Sequence, residues 1–210
     1  MVIAHHLILT GYGHWLPNDP RGSTSREVVA GKLWGLGELH QGRKFPQPSR
    51  QVVKSFHRDA QHQLEHPVLW FDAAKRQVIA DAFAQTMQDC RYTCFACAIL
   101  SNHAHVIIRK HRDRAETMID HLRTESSARL CRLADFPDNH PVWNTGHYKK
   151  FLFTPEDITR TVAYIRDNPM RERIPEQNFP FVKVYSAEWY RQRKDVASPM
   201  NQPLQEETQP

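Results

Sequence analysis

No run of apolar residues in this 210-residue chain approaches the ~20 that a membrane-crossing helix needs. The longest stretches, such as Cys94 to Leu100, are far shorter, so no membrane span is expected. Cysteine is scarce: there are four, three of them bunched at Cys90, Cys94 and Cys97. That scarcity excludes a disulfide framework and leaves free thiols in a reducing compartment as the expectation. The opening Met1-Val2-Ile3-Ala4-His5-His6 lacks a basic segment followed by a long apolar one, so no secretory signal is expected and the protein is assigned to the cytoplasm. Internal repeats are missing as well.

What is present describes a folded chain. Hydrophobic residues make up 40% and charged residues 24%, unlike a disordered sequence, and the length suits one domain with its own core. We expect a single domain over 1–195, a long basic loop inserted at 17–55, and a disordered polar tail at 196–210. Lys and Arg total 28 against 23 Asp and Glu, and the net charge of +5 favours an anionic partner without naming one. Histidine is in surplus at 13, and its roles as ligand, base and pH switch make each position worth weighing.

His6 to Thr10 reads as a buried strand closed by Gly11-Tyr12-Gly13. From Pro17 to about Ser55 the pattern breaks into Gly, Pro, Ser and basic residues, which predicts a connection with little regular structure. Asp72 predicts the N-cap of a helix with Ile79, Phe83, Met87 and Cys90 on its apolar stripe. Thr93 to Leu100 and His105 to Ile108, joined through Ser101-Asn102, predict an antiparallel hairpin. A helix over about Arg114 to Leu133 would bury Ile119, Leu122, Leu130 and Leu133, leaving Arg123, Arg129 and Arg132 outside, where they could track a phosphate backbone. Val142 to Phe153 offers a further strand, and Thr154-Pro155-Glu156-Asp157 announces a third helix, which Asn168-Pro169 should stop. The order describes an α+β protein, an antiparallel sheet carrying helices of the ferredoxin-like kind.

Two constellations carry chemistry. In His103-Ala104-His105 the imidazoles at i and i+2 share one face of a strand, roughly 7 Å apart, where they can reach one divalent cation. The triplet alone is equally compatible with two histidines beside a turn. In Tyr164-Ile165-Arg166-Asp167-Asn168, Tyr and Asn stand one turn apart, to the side of the stripe Ile158, Val162 and Ile165, so the core does not need them. A surface tyrosine with a capping asparagine is the plainer alternative.

Together the two constellations resemble the HUH-motif single-tyrosine transposases of bacterial insertion sequences, and more particularly the REP-associated tyrosine transposases. The His-hydrophobic-His signature corresponds to His103-Ala104-His105 after Leu100-Ser101-Asn102, and the nucleophile helix to Ala163-Tyr164-Ile165-Arg166-Asp167-Asn168-Pro169. The stretch Gly13-His14-Trp15-Leu16-Pro17-Asn18-Asp19-Pro20-Arg21-Gly22-Ser23 is similar to a segment of one subgroup, and the likeness runs roughly from Ala4 to Arg173. The resemblance implies a ferredoxin-like domain of the HUH-endonuclease type. It implies that His103, His105 and the side-chain oxygen of Asn168 hold one Mg²⁺ or Mn²⁺, and that Tyr164 attacks a phosphate of single-stranded or hairpin DNA. The products would be a 5′-phosphotyrosine and a free 3′-OH, in a monomer or homodimer associated with the nucleoid. Because the covalent link keeps the phosphodiester energy, strands can be rejoined without ATP.

Tyr148, beside Lys149 and Lys150, is the rival nucleophile; it suits phosphate contact but has no amide four residues on. Cys94 and Cys97, at i and i+3 of a strand, should face opposite sides and so pack rather than chelate. Arg21, Arg43, Lys44, Arg50, Lys54 and Arg58 in or beside the long loop are positioned to grip DNA, and Trp34, Phe45 and Phe56 among them favour stacking on single strands. Two other classes compete: a catalytically inactive protein that binds hairpin DNA through its basic surface, and a metal-dependent hydrolase of small substrates that uses His103 and His105 without Tyr164.

Overall fold

Strand β1 (Ala4–Thr10) turns Leu7 and Leu9 to one side and His6, Ile8 and Thr10 to the other, and this alternation sets the two faces of the sheet. In the computed structural model, which describes residues 1–23, 35–146 and 148–186, β1 pairs antiparallel with β3 (His103–Arg109) and with β4 (Tyr148–Leu152). The strand β2 (Cys94–Ile99) forms a hairpin with β3 and completes a four-stranded sheet in the order β2-β3-β1-β4. Helices α1 (Arg50–Gln61) and α2 (Ala73–Asp89) lie between β1 and β2, α3 (Ala115–Leu130) connects β3 to β4, and α4 (Pro155–Arg171) follows β4. This is the ferredoxin-like α+β topology expected from the sequence. Both strands of the central pair begin two residues earlier than their apolar patterns indicate, at Ala4 and His103.

Each face of the sheet is covered. Leu7, Leu9, Val106 and Ile108 pack with Ile79 and Phe83 of α2 and with Met118, Ile119 and Leu122 of α3. Across the sheet, Phe95, Ile107 and Leu152 meet Ile158 and Ile165 of α4. His103 and His105 share a face with Ile107, so both emerge beneath α4. Among the described residues no helix is long and apolar enough to cross a membrane.

The start of α4 is closed by reciprocal hydrogen bonds: Thr154 Oγ1 accepts from the Asp157 amide at 3.1 Å, and Asp157 Oδ2 accepts from the Thr154 amide at 3.3 Å. Thr154→Ala should therefore cost about 1 kcal/mol of stability, read as a lower urea midpoint with an unchanged denaturant slope. An unchanged midpoint would mean that packing alone holds this end of α4.

Four expectations are corrected. The helix α4 does not stop at Asn168-Pro169 but runs on to Arg171. Proline loses its own amide from the ladder and crowds the carbonyl four residues back, but at Pro169 little helix remains beyond it, and the Glu172 amide donates to the Pro169 carbonyl at 3.1 Å, closing the last turn. The segment up to Ser55 is not all irregular, because α1 begins at Arg50, with Ser49 Oγ accepting from the Val52 amide. Only Phe56 and Ala60 of α1 are buried, against Leu16 and the partly buried Leu36 and Leu64, which is too sparse a stripe to stand out locally. A bulge in β2 between Cys94 and Ala96 brings Cys94 and Cys97 to the same face, where both are buried in the α2–α3 core. Burial raises both thiols, Cys94 to about 12, so they remain packing groups. Finally, Arg123 and Arg129 do not stand free on α3. Arg123 donates to the Thr145 and Gly146 carbonyls, and Arg129 Nε donates to Glu125 at 2.7 Å. Trp34, His147 and the tail 196–210 lie outside the described residues.

Candidate functional site

The α4 face of the sheet carries a row of polar groups where the apolar cover of Ile158 and Ile165 runs out. In register across the strands, His105 stands beside Ile8 and Ile8 beside Tyr148, while His6 stands between Ile107 and Lys150. The imidazoles form a chain. His103 Nδ1 lies 2.6 Å from Asn102 Oδ1, His103 Nε2 lies 3.0 Å from His105 Nε2, and His105 Nδ1 lies 3.0 Å from His6 Nε2. Because the Asn102 oxygen can only accept, the proton of His103 sits on Nδ1. His105 Nε2–H then donates to His103, and His6 Nε2–H donates to His105. Burial lowers all three pKa values: His6 to about 4, His103 to about 4 and His105 to about 2. Lys150 adds to burial at His6, and the other imidazoles would oppose a second proton at His105, whereas Glu172 acts against burial at His103. Near neutral pH the three rings are uncharged, as ligand imidazoles must be.

The spacing of the pair suits a cation. Two nitrogens at adjacent corners of an octahedron of radius ~2.1 Å stand ~3.0 Å apart, the distance between the His103 and His105 Nε2 atoms. Holding an ion would require His105 to carry its proton on Nδ1 instead, where His6 Nε2 can accept it. Among the described residues no group of three or more His, Cys, Asp or Glu could hold a metal. A third protein ligand would therefore be of another type, and Asn168 is an amide. It is buried at 7% exposure, unlike the surface capping residue of the plainer alternative, and among the described residues its Nδ2 has no hydrogen-bond partner. Turned end for end, which changes the shape little, the amide would present its oxygen there. No hydrogen bond joins Asn168 to either imidazole among the described residues.

Tyr164 precedes Ile165 on α4 and points past the core stripe. Its ring meets those of His105 and His6 edge to face, at centroid distances of 5.6 and 6.5 Å, and the Arg171 guanidinium lies 5.7 Å from it. The phenol is 42% exposed. It opens into a cavity of about 560 Å³, whose walls also include His103, His105, Tyr148, Trp15, Arg21 and Arg43. That volume falls in the ~300–1,000 Å³ range of ligand sites.

Sequence-predicted basic residues divide by face. Arg21 and Arg43 line the cavity, and Lys150 shares its face of the sheet. Arg21 is committed to Asp19 through Nε at 2.9 Å and Nη2 at 2.6 Å. Burial alone would raise the Asp19 carboxyl, but hydrogen bonds from Arg21 and His57 outweigh it and hold the group well below the usual carboxylate range. Lys44 is exposed, and its amide donates to the Arg21 carbonyl at 2.9 Å. Arg50 and Lys54 are exposed on α1. Lys149 pairs with Glu116 of α3, on the opposite face, where Arg123 and Arg129 also lie. Sequence reasoning missed His6, whose role depends on a pairing 99 residues away in the chain, and Trp15, a cavity wall. Of the aromatics expected to stack, Phe56 is buried in the small α1 core and Phe45 is 95% exposed, outside the cavity wall.

No protein-family model matches the chain, and no curated protein matches it. Among solved structures, that of a REP-associated tyrosine transposase bound to a REP hairpin matches 89% of this chain and 87% of its own, with 11% sequence identity and a TM-score of 0.46.

Proposed function

We propose that this chain is a metal-dependent endonuclease and strand transferase for single-stranded DNA, acting on hairpin-flanked or REP-like elements through a 5′-phosphotyrosine at Tyr164. The observation that supports it best is the meeting of His103, His105 and the Tyr164 ring on one wall of a cavity that also contains Arg21 and Arg43. His103 and His105, with the Asn168 amide oxygen, would hold Mg²⁺ or Mn²⁺. Such an ion, when bound, supplies charge neutralisation and polarisation at the scissile phosphate.

The chain's own groups do the rest. Tyr164 Oη attacks phosphorus in line with the 3′-oxygen, so that an O–P bond to tyrosine forms as the P–O3′ bond breaks. The phenolic proton leaves to solvent, and the 3′-oxygen takes a proton from water to give the free 3′-OH. Attack by a 3′-OH on the phosphotyrosine reverses these changes and joins strands. Arg43 in the cavity wall and Lys150 beside His6 offset phosphate charge. His6 holds the His105 ring in place through its 3.0 Å hydrogen bond. A DNA partner of this kind would place the protein at the nucleoid.

Incubating the protein with hairpin DNA carrying single-stranded flanks and Mn²⁺ should trap a covalent protein–DNA adduct on a denaturing gel, and chelation should remove it. Hairpin binding without any adduct under these conditions would overturn the nuclease reading in favour of an inactive hairpin-binding protein.

A further inference from the structure

The segment from His14 to Ser23 takes no part in the chemistry just described, yet it is among the most constrained in the molecule. Trp15 adopts a left-handed backbone conformation, φ 50°, which is costly for a bulky residue and holds its indole out into the cavity at 42% exposure. The Arg21 guanidinium carbon lies over that ring, 3.8 Å from its centroid. Arg21 is itself fixed by two hydrogen bonds to the fully buried Asp19 carboxylate and by a 3.2 Å contact with His57. Gly22 follows at φ 92°, where a Cβ would lie 1.9 Å from the Gly42 carbonyl oxygen, so only glycine allows the two loop strands to cross this closely.

The result is a rigid stack of a planar cation on an aromatic ring, ordered before anything binds, in the same cavity as Tyr164 and His103. A solvated loop arginine needs no buried carboxylate to fix its plane, and an aromatic serving only the core would not be held outward against backbone preference. Flat π-surfaces and guanidinium planes are what unpaired bases stack on, without regard to base identity. Tyr148, 38% exposed, adds another ring to the cavity wall.

We propose that Trp15 and Arg21 form a stacking platform for an unpaired nucleobase of the DNA strand whose phosphate lies at Tyr164. Asp19 acts as the positioning residue for the platform, since it touches Arg21 and not the base. The proposal rests on the nuclease reading for the identity of the strand. It assigns to the cavity a selectivity for unpaired over paired DNA, because a base inside a duplex cannot reach the indole.

The test is a binding cycle by fluorescence anisotropy, using a hairpin with single-stranded flanks and the same DNA with an abasic site at each flank position in turn. One abasic position should cost the wild-type protein on the order of 10-fold or more in affinity, the size of one base–aromatic stack. The same position should cost Trp15→Ala little, and Trp15→Phe should keep most of the wild-type discrimination. If no abasic position weakens the wild type, or if each costs wild type and Trp15→Ala equally, the platform is wrong. The wild-type series needs no variant, so misfolding of Trp15→Ala cannot decide the question. Adduct formation on the intact DNA separates the two readings. An adduct without abasic discrimination overturns the platform alone, discrimination without adduct supports the platform and overturns the nuclease, and no DNA binding at all overturns both.

Discussion

Tyr164→Phe should abolish the covalent protein–DNA adduct while leaving the affinity for the uncleaved hairpin within about two-fold, because affinity would reside in phosphate contacts and stacking rather than in the phenolic oxygen. The variant deletes one oxygen from a side chain that is 42% exposed, and it keeps the ring that meets His105 at 5.6 Å and His6 at 6.5 Å. With no buried hydroxyl orphaned, stability should stay within about 0.5 kcal/mol of wild type. Loss of adduct then cannot be put down to unfolding, which an unchanged thermal midpoint would establish directly. The same experiment with Tyr148→Phe settles the choice of nucleophile. Both rings line the cavity, but Tyr148 belongs to β4, fixed beside Ile8, whereas Tyr164 stands one turn before the Asn168 amide. Adduct retained by Tyr148→Phe and lost by Tyr164→Phe is the expected pattern. The reverse pattern would move the nucleophile to the strand, and equal loss in both would point to damage to the cavity as a whole.

Legibility in the sequence followed the range of the forces involved. The β2–β3 hairpin and the start of α4 were readable because their signals lie within a few residues: two β-prone apolar runs around Ser101-Asn102, and a capping threonine before proline and acids. The ferredoxin-like order follows from such local elements once they are in sequence. The helix α1 escaped because only Phe56 and Ala60 are buried, and their partner Leu16 lies some forty residues away. Helical spacing places Asn168 beside the core stripe, but spacing does not report what covers it, and its side chain is buried. The β2 bulge reverses an argument from strict alternation, so one inserted residue sufficed to put Cys94 and Cys97 on a common face. His6 could be read only with the β1–β3 register in hand, and that register is set by pairing across most of the chain. A count of loop and helix charges does not show that Asp19, Glu116 and Glu125 pair with Arg21, Lys149 and Arg129, which fixes these side chains and offsets their charge. Trp15 was passed over because what distinguishes it is a backbone angle.

Lowering the pH from about 6.5 to 5 should destabilise the metal-free protein steeply, before most of its carboxylates titrate. The folded chain holds His6 and His103 at about 4 and His105 at about 2, whereas free imidazole titrates near ~6.5. Over that window the unfolded chain binds protons that the folded chain refuses, so stability falls as pH falls. Each such histidine contributes up to about 1.4 kcal/mol per pH unit. Burial lowers His5 and His14 in the same direction. Asp19 cannot be the cause: its folded value is depressed, so its contribution is intact above the ordinary carboxylate range near ~3.8 and is lost only as pH falls below that range. The expected measurement is a urea midpoint that drops continuously from pH 6.5 to 5, with the ring-proton resonances of His6, His103 and His105 unshifted over that range. Added Mn²⁺ should raise the midpoint near neutral pH and lose that effect on acidification, since proton and cation compete for the same imidazole lone pairs. A midpoint flat between pH 6.5 and 5, or ring protons titrating near 6.5 in the folded state, would mean that the three imidazoles are solvated and the chain of hydrogen bonds from Asn102 to His6 is absent in solution.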